Sequence, residues 1–232
     1  MRIYDASKPL ISIHLPKAGG TSLLSVLEDW FPNGSLRLHY RQADGKLPLR
    51  QVFSGPICIH GHFNTAAGFG ISDYYPQAEQ FIIFFREPFE RFVSVWFFLN
   101  RLKKEKIPVA APDTGRDFET FIRIQAEHHS ENANHFSFVH HFPPEATVGK
   151  ISTALATSFV FVGIIERYQE SLSALAHLIG RPPRNIPHLN DTPRSGTEYQ
   201  EFRPFYEKNF ADEMELYEAA LKANSYFIRE AL

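Results

Sequence analysis

Four short apolar segments of this sequence are each followed at once by side chains that can do chemistry. These residues are His14 to Ser22 after the first segment, His60-Gly61-His62 after the second, Arg86 after the third and Glu166-Arg167 after the fourth. Ligands of an open parallel sheet bind beyond the carboxyl ends of its strands. If the four segments are parallel strands, their polar residues meet at one edge of the sheet, and we expect a single site there.

The first of these groups has the composition of an anion-binding loop. Gly19 and Gly20 allow close approach of the backbone, and the N–H groups of Gly20, Thr21 and Ser22 would open a helix toward an anion. Lys17 adds a point charge within reach of a phosphate. A tight turn with a Ser/Thr helix cap is the structural alternative, but a lysine beside the glycine pair favours anion binding.

The loop differs from a Walker A loop, in which the lysine follows the glycines and a hydroxyl binds Mg²⁺. Here Lys17 precedes Gly19. The third apolar segment ends in Arg86, where a nucleotide hydrolase would carry a magnesium-organising aspartate. A cleft with lysine and arginine, but no aspartate at this strand end, fits transfer of an anionic group without a metal. This excludes most kinases.

The elements that must position these residues follow from the apolar pattern. Continuous apolar runs, typical of parallel strands buried on both faces, span Leu10–Leu15, Ile57–Ile59, Phe81–Phe85 and Phe159–Ile165. Stripes with helical spacing run from Leu23 to Phe31, Phe89 to Phe97, Leu172 to Ile179 and Phe210 to Leu221. Strand followed by helix predicts an α/β fold with a central parallel β-sheet flanked by helices, in a single domain over residues 1–232.

Composition narrows the class of protein further. The chain has 232 residues, and the hydrophobic fraction of 44% excludes a disordered chain. The formal net charge of −2 argues against a general nucleic-acid partner. Cys58 is the only cysteine, so no internal disulfide and no cysteine-based zinc site can form. The amino-terminal apolar run is broken too early for a signal peptide, and no segment is long enough to span a membrane. We therefore expect a cytoplasmic protein that is not an integral membrane protein.

Four motifs resemble those of sulfotransferases that depend on 3′-phosphoadenosine 5′-phosphosulfate (PAPS). Pro16–Ser22 is similar to the 5′-phosphosulfate loop of that family, and Arg86–Ser94 to its 3′-phosphate motif, Arg-x-Pro-x-x-Arg-x-x-Ser. Phe161–Leu172 resembles its Gly-x-x-Glu-Arg segment, and Asp212–Tyr217 its terminal Asp-x-x-x-x-Tyr helix. The motifs occur in family order, and the chain most resembles the carbohydrate group that includes heparan sulfate 2-O-sulfotransferase.

The resemblance implies a P-loop-NTPase-like sulfotransferase fold, with PAPS as co-substrate and adenosine 3′,5′-bisphosphate as product. It places Lys17 on the bridging oxygen of the phosphosulfate, and Arg86, Ser94 and Arg194 at the 3′-phosphate. The cofactor-binding residues that it implies are Lys17, Ala18, Gly19, Gly20, Thr21, Ser22, Arg86, Ser94 and Arg194. A salt bridge to Glu87 or Glu90 is the structural alternative for Arg86, an ordinary turn is the alternative for Arg194, and Arg91 fits either a site or a structural role.

Sulfuryl transfer to an alcohol needs a base, and histidine is the natural base near neutral pH. His60-Gly61-His62 resembles the His-Gly-His segment of the heparan 2-O enzyme, whose second histidine is the catalytic base. The resemblance therefore makes His62 the expected base and His60 an orienting or backup residue, while core histidines are the alternative. His14 is expected to hydrogen-bond at the strand end. No third ligand with metal-site spacing follows, and no metal is expected.

Two further regions are less specific. Histidines between His128 and His141 fit either an acceptor wall or a solvated helix end, and Asn132–Phe136 departs from the family pattern near here. Lys103, Lys104 and Lys106 are typical of a solvated helix end, although they would also steer an anionic glycan.

The leading hypothesis is an enzyme that moves a sulfuryl group from PAPS to a hydroxyl of a small molecule or glycan, most simply a carbohydrate or glycolipid. The alternatives are a phosphotransferase or NTPase, and a nucleotide-binding module without turnover. The acceptor and the oligomeric state are not readable from the sequence.

Overall fold

A parallel β-sheet carries the fold in the computed structural model, which describes residues 2–42, 44–50, 55–107, 117–130, 137–143, 151–186 and 197–232. Its strands are β1 (Leu10–Ile13), β2 (Leu36–His39), β3 (Cys58–Gly61), β4 (Gln80–Phe85) and β5 (Phe159–Ile164). The order across the sheet is β2-β3-β1-β4-β5, and every pair is parallel. The four predicted strands and the predicted α/β class are confirmed.

The edge strand β2 has no counterpart among the strands that the sequence predicts. Its burial explains why: Arg37 and Leu38 are exposed, Leu36 is half-buried, and only His39 is fully buried. A strand with side chains facing solvent lacks the continuous apolar run that marks a strand buried on both faces. This strand matters for the site because it leads directly into Tyr40.

Helices pack against the sheet and against one another. They are α1 (Gly20–Trp30), α2 (Ile71–Tyr74), α3 (Pro88–Lys104), α4 (Phe118–Ser130), α5 (Ile151–Thr157), α6 (Tyr168–Leu178), α7 (Arg203–Asn209) and α8 (Ala211–Ala231). Pro88 is the first residue of α3, as its fixed φ favours, and the Glu87 side chain accepts a hydrogen bond of 2.7 Å from the Glu90 N–H. The helices that the four apolar stripes predict, α1, α3, α6 and α8, are all present.

Two apolar clusters hold these layers together. The larger one lies around the sheet and includes β1, β4, β5, α1, α6 and α8. The smaller one packs aromatic side chains of α3 against α4 and α7, among them Phe92, Phe121, Tyr206 and Phe210, whose neighbouring rings have centres 4.4–5.6 Å apart. The apolar stripe of α3 is therefore buried against helices that the sequence did not reveal.

A buried ion pair joins α3 to α8. The Arg91 Nη2 and Glu213 Oε2 atoms are 3.3 Å apart, and both side chains are 3% exposed. Glu213 Oε1 also accepts hydrogen bonds from the Ser137 hydroxyl at 2.7 Å and the Phe138 N–H at 2.9 Å. Burial raises the pKa of Glu213, and the nearby Arg91 charge opposes this. Arg91 therefore has the structural role that the sequence left open.

Among the described residues, no helix combines the length and the apolar character needed to cross a membrane. The cytoplasmic location inferred from the sequence stays a prediction.

Replacing Glu213 with alanine should lower the free energy of unfolding by about 3–5 kcal/mol, because it leaves the Arg91 charge buried without its partner. Urea denaturation measures the change. Glu215→Ala, at an exposed position of the same helix, is the matched control and should change stability by less than about 0.5 kcal/mol. Equal effects of the two substitutions would contradict the role of the ion pair.

Candidate active site

The loop between β1 and α1 has the backbone that an anion-binding loop requires. Lys17 and Gly19 both have positive φ, 66° and 72°, so the chain turns sharply before α1 begins at Gly20. Within the described residues no side chain caps α1. The Ser/Thr helix cap considered as the alternative is therefore absent from α1, and the first-turn N–H groups point out of the helix end toward the loop.

The two predicted phosphate motifs meet in space. The Arg86 guanidinium, directly after β4, donates to the Lys17 carbonyl oxygen at 3.5 Å, across 69 positions of sequence. The Lys17 ammonium lies 4.9 Å from the centre of the Phe98 ring. Because Phe98 is one helical turn after Ser94, the face of α3 that carries Ser94 is also the face that borders the loop. Lys17, Arg86 and Ser94 thus belong to one region.

The acidic residues beside Arg86 have another cation. Arg203 lies 2.8 Å from Glu87 Oε1 and 3.5 Å from Glu90 Oε1, and its guanidinium covers the Phe89 ring at 4.7 Å. Each carboxylate that the sequence offered as a partner for Arg86 is therefore engaged by an arginine of α7.

The remaining predicted cofactor residues differ in exposure. Ala18 and Ser22 are buried, Thr21 is exposed, and Gly19 and Ser94 are half-buried. Arg194 lies outside the described residues. The buried pair packs the loop onto the sheet, while the exposed Thr21 side chain faces solvent at the start of α1.

Glu166, which follows β5, connects the ends of two other elements. Its Oε1 atom accepts a hydrogen bond of 3.0 Å from the Glu87 N–H, at the start of α3, and its Oε2 atom accepts one of 2.8 Å from the Tyr217 hydroxyl of α8. Two of the sequence motifs, Phe161–Leu172 and Asp212–Tyr217, therefore meet in one contact. The Glu166 carboxylate thereby fixes the backbone directly after Arg86.

Tyr168, at the start of α6, holds the anion loop from the same side. Its hydroxyl donates to the Gly19 carbonyl oxygen at 2.9 Å, and its ring packs edge-on against Phe84 at 5.2 Å. A Cβ atom on Gly19 would come within 2.4 Å of the Ile165 side chain. The loop is thus fitted tightly against the end of β5.

His62 has the geometry of a general base. Its Nδ1 atom lies 2.8 Å from the His14 carbonyl oxygen, and since a carbonyl can only accept, Nδ1 carries the proton. The lone pair of the neutral ring is therefore on Nε2. The ring is half-buried, and burial lowers the pKa of His62, while the hydrogen bond to His14 opposes the shift. A neutral imidazole with a defined lone pair results.

His60 is in a different environment from His62. It is fully buried, its Nδ1 lies 2.9 Å from the Ser12 hydroxyl, and burial lowers its pKa to about 3. A ring without solvent access cannot contact an acceptor from solution. The geometry thus favours His62 over His60 as the base and places His60 in the core.

His14 has a contact that the sequence does not predict, a stack with two other histidine rings. Its Nδ1 shares a hydrogen bond of 2.8 Å with the Tyr40 hydroxyl, which agrees with the expected strand-end hydrogen bond. Its ring also stacks on His62 at 4.3 Å and on His60 at 5.2 Å. The sequence held one signal for this arrangement, which is that His14 and His62 end two apolar runs that prove to be adjacent strands.

The glycine between the two histidines is required by strand packing. A Cβ atom on Gly61 would lie 2.0 Å from the carbonyl oxygen of His39, its partner on β2. The same oxygen accepts a hydrogen bond of 2.9 Å from the His62 N–H. Gly61 therefore lets β2 and β3 pair closely where His62 leaves the sheet.

The His128–His141 region supplies structural contacts where it is described. His129 Nε2 pairs with Asp212 Oδ1 at 2.7 Å, and the buried His141 donates from Nδ1 to the Phe63 carbonyl oxygen at 2.5 Å. Asn132–Phe136 lies outside the described residues. Lys103, Lys104 and Lys106 are exposed at the end of α3, as expected for a solvated helix end.

One group of side chains in the described part has the proximity of a metal site. Ligand atoms of His129, Asp212 and Glu213 lie within 4.8 Å of one another. Glu213 is already bonded to Arg91, Ser137 and the backbone, and Asp212 to His129. Their contacts are those of an ion-pair network, and the expectation of a metal-free site stays a prediction.

Comparison with known proteins decides the family. The model of the sulfotransferase family matches residues 3–221, which is nearly the whole chain. The chain belongs to the sulfotransferase family. This family confirms the predicted enzyme class, a PAPS-dependent sulfotransferase, while the heparan sulfate 2-O group stays a prediction.

A solved structure agrees with the fold of this sulfotransferase. The mouse sulfotransferase SULT7A1, crystallised in complex with PAP, matches with a TM-score of 0.56 and 13% sequence identity, covering 94% of this chain and 89% of that one. At this identity the match shows the sulfotransferase fold. Among curated proteins, a search gave no match to this chain.

The buried histidines predict how stability depends on pH. Burial lowers the pKa of His39 to about 4 and the pKa values of His60 and His141 to about 3, from an ordinary value of 6.5. Below pH 6.5 the unfolded chain binds protons that the folded chain does not, so the stability that is complete above 6.5 decreases on acidification. Each histidine contributes a slope of up to about 1.4 kcal/mol per pH unit.

The slope can be measured by urea denaturation between pH 7 and 5.5, a range above the ordinary pKa values of carboxylates. His39→Phe should reduce it by about 1 kcal/mol per pH unit. His177→Gln, on the exposed face of α6, is the control and should leave it unchanged. A stability that is flat over this range would show that the buried rings are not held neutral.

Proposed function

We propose that this sulfotransferase moves the sulfuryl group of PAPS to a hydroxyl of a carbohydrate or glycolipid acceptor, and releases adenosine 3′,5′-bisphosphate. The observation that carries the proposal is the contact between Arg86 and Lys17 at the uncapped start of α1. It brings the 5′-phosphosulfate motif and the 3′-phosphate motif to one place. The PAP complex of the mouse enzyme supports the same nucleotide.

The residues present fit a nucleotide with phosphates at both ends. The N–H groups at the start of α1, together with Gly19, suit the 5′-phosphate, because a helix terminus without a side-chain cap favours an anion. Arg86 and the half-buried Ser94 suit the 3′-phosphate, which a planar guanidinium binds with two parallel hydrogen bonds. Ala18, Gly20, Thr21, Ser22 and Arg194 keep the binding roles that the resemblance implies.

Lys17 and His62 would then divide the chemistry between them. The acceptor oxygen attacks sulfur and gives its proton to His62 Nε2, which holds the free lone pair. The bond between sulfur and the bridging oxygen breaks, and the electron pair stays on the released phosphate. The Lys17 ammonium neutralises the charge that develops there. His60 supports the base indirectly from the core, because it stacks on His14 and His14 stacks on His62.

The acceptor class rests on the sequence motifs. His60-Gly61-His62 resembles the segment of heparan sulfate 2-O-sulfotransferase, and this favours a hydroxyl on a sugar. His62 is half-buried, so part of the residue is accessible to an acceptor from solution.

Binding of the desulfated nucleotide is the first test. Adenosine 3′,5′-bisphosphate should raise the melting temperature, and Arg86→Ala should weaken its affinity about 10- to 100-fold, the value of a charge-assisted hydrogen bond of ~1.5–3 kcal/mol. Arg123→Ala, which removes an exposed arginine of α4, should leave the affinity unchanged. Stabilisation by ATP with magnesium, and not by this nucleotide, would favour a phosphotransferase instead.

Transfer of labelled sulfate from PAPS to a panel of glycosides tests the chemistry. His62→Ala should lower kcat about 10²- to 10⁴-fold by removing the base, and Lys17→Ala about 10²- to 10³-fold by removing the leaving-group charge. Lys104→Ala, at the exposed end of α3, is the control for a lost lysine. Wild-type turnover by either active-site variant would reject its assigned role, and nucleotide binding without turnover on any acceptor would favour a binding module.

A further inference from the structure

Three imidazole rings form a stack beneath the anion loop, and His14 is the middle one. Its ring centre is 4.3 Å from that of His62 at an interplanar angle of 27°, and 5.2 Å from that of His60 at 17°. His62 is the ring at the outer, half-buried end and His60 the ring at the fully buried end. The stack therefore runs from the core of the sheet to the proposed base.

Two contacts fix the plane of the His14 ring. The Tyr40 hydroxyl holds Nδ1 at 2.8 Å from one side. On the other side the ring lies so close to Gly20 that a Cβ atom there would come within 1.9 Å of His14 Cδ2. Tyr40 also packs edge-on against His62 at 5.0 Å, with the rings at 79°. The ring of His62 thus stacks on the face of His14 and is bordered by the perpendicular ring of Tyr40.

We propose that His14 and Tyr40 are positioning residues for His62, holding its ring in the plane in which Nε2 faces the acceptor and shielding it from water. The proposal rests on the proposed function of His62 as the base. His14 acts in two ways: its carbonyl oxygen fixes the Nδ1 proton of His62, and its side chain supplies the flat surface against which His62 lies. The shielding surface is the ring itself, so an aromatic ring of similar size can replace it.

Shielding has an electrostatic consequence that a purely structural role would not have. In the described part of the chain, the titratable groups around the rings of His14 and His62 come from several elements. They are His60 of β3, His39 of β2, Tyr40 directly after β2, His141 of the 3₁₀ turn at Phe138–His141, and Lys17 of the loop. None of these groups is a carboxylate. Burial is the largest cause that lowers the pKa of His62, so water admitted beside the ring must raise that pKa toward 6.5.

The test compares substitutions at position 14 by kcat, KM and the pH dependence of kcat. His14→Ala should lower kcat about 10- to 100-fold, since a loosely held base transfers protons poorly, and should shift the acidic limb of the profile to higher pH. His14→Phe restores the flat surface and should recover most of the lost kcat, with the acidic limb close to that of the wild type. Tyr40→Phe should fall between them, because the ring of His14 keeps its stack but loses its hydrogen bond.

Tyr226→Phe removes a hydroxyl from the exposed face of α8 and serves as the matched control for Tyr40→Phe. The affinity for adenosine 3′,5′-bisphosphate should stay within about threefold in each variant, which shows that the site is folded. If His14→Phe is as inactive as His14→Ala, or if His14→Ala lowers kcat with no shift of the acidic limb, the positioning role is wrong. If the wild-type protein does not bind adenosine 3′,5′-bisphosphate, the proposed function itself is rejected.

Discussion

The parallel pairing of β1 with β3 on one side and β4 on the other is the constraint on which the site depends. Ser12 is in register with both His60 and Ile82, so β1 and β3 end at the same level and β4 continues two residues further. His14 and His62, which follow β1 and β3, are therefore neighbours, and Arg86, which follows β4, reaches the Lys17 carbonyl oxygen of the loop after β1. A one-residue shift of either pairing would turn the histidines or the arginine to the opposite face of the sheet.

Contacts from the end of β5 and from α6 and α8 hold the segments that carry Lys17 and Arg86 in place. The Glu166 carboxylate accepts hydrogen bonds from the start of α3 and from Tyr217, and the Tyr168 hydroxyl holds the Gly19 carbonyl. Arg91 and Glu213 add a buried link between the same two long helices. Together these contacts connect the elements that carry the two charged motifs. Preorganisation of this kind lowers the reorganisation needed when charge develops in a reaction.

Sequence alone predicts the elements with strong local patterns and misses those defined by packing. The runs at Phe81–Phe85 and Phe159–Ile165 are unambiguous because both faces of these strands are buried. Strand β2 has no such run, since two of its four side chains face solvent. The motif that includes Glu166 is visible as a landmark, but its contact with Tyr217 spans 51 positions and depends on the path of α8. The stack on His14 is hidden for the same reason, because it arises between strands and not within one.

The tight fit at Gly61 limits how this region can vary in evolution. Only hydrogen fits at this position, because the backbone of the neighbouring edge strand occupies the space of a side chain. A larger residue would push that strand away, and with it the tyrosine that directly follows it. A substitution at this one position would therefore disturb both the tyrosine hydroxyl that holds the middle ring of the stack and the hydrogen bond that the edge strand accepts from the His62 N–H.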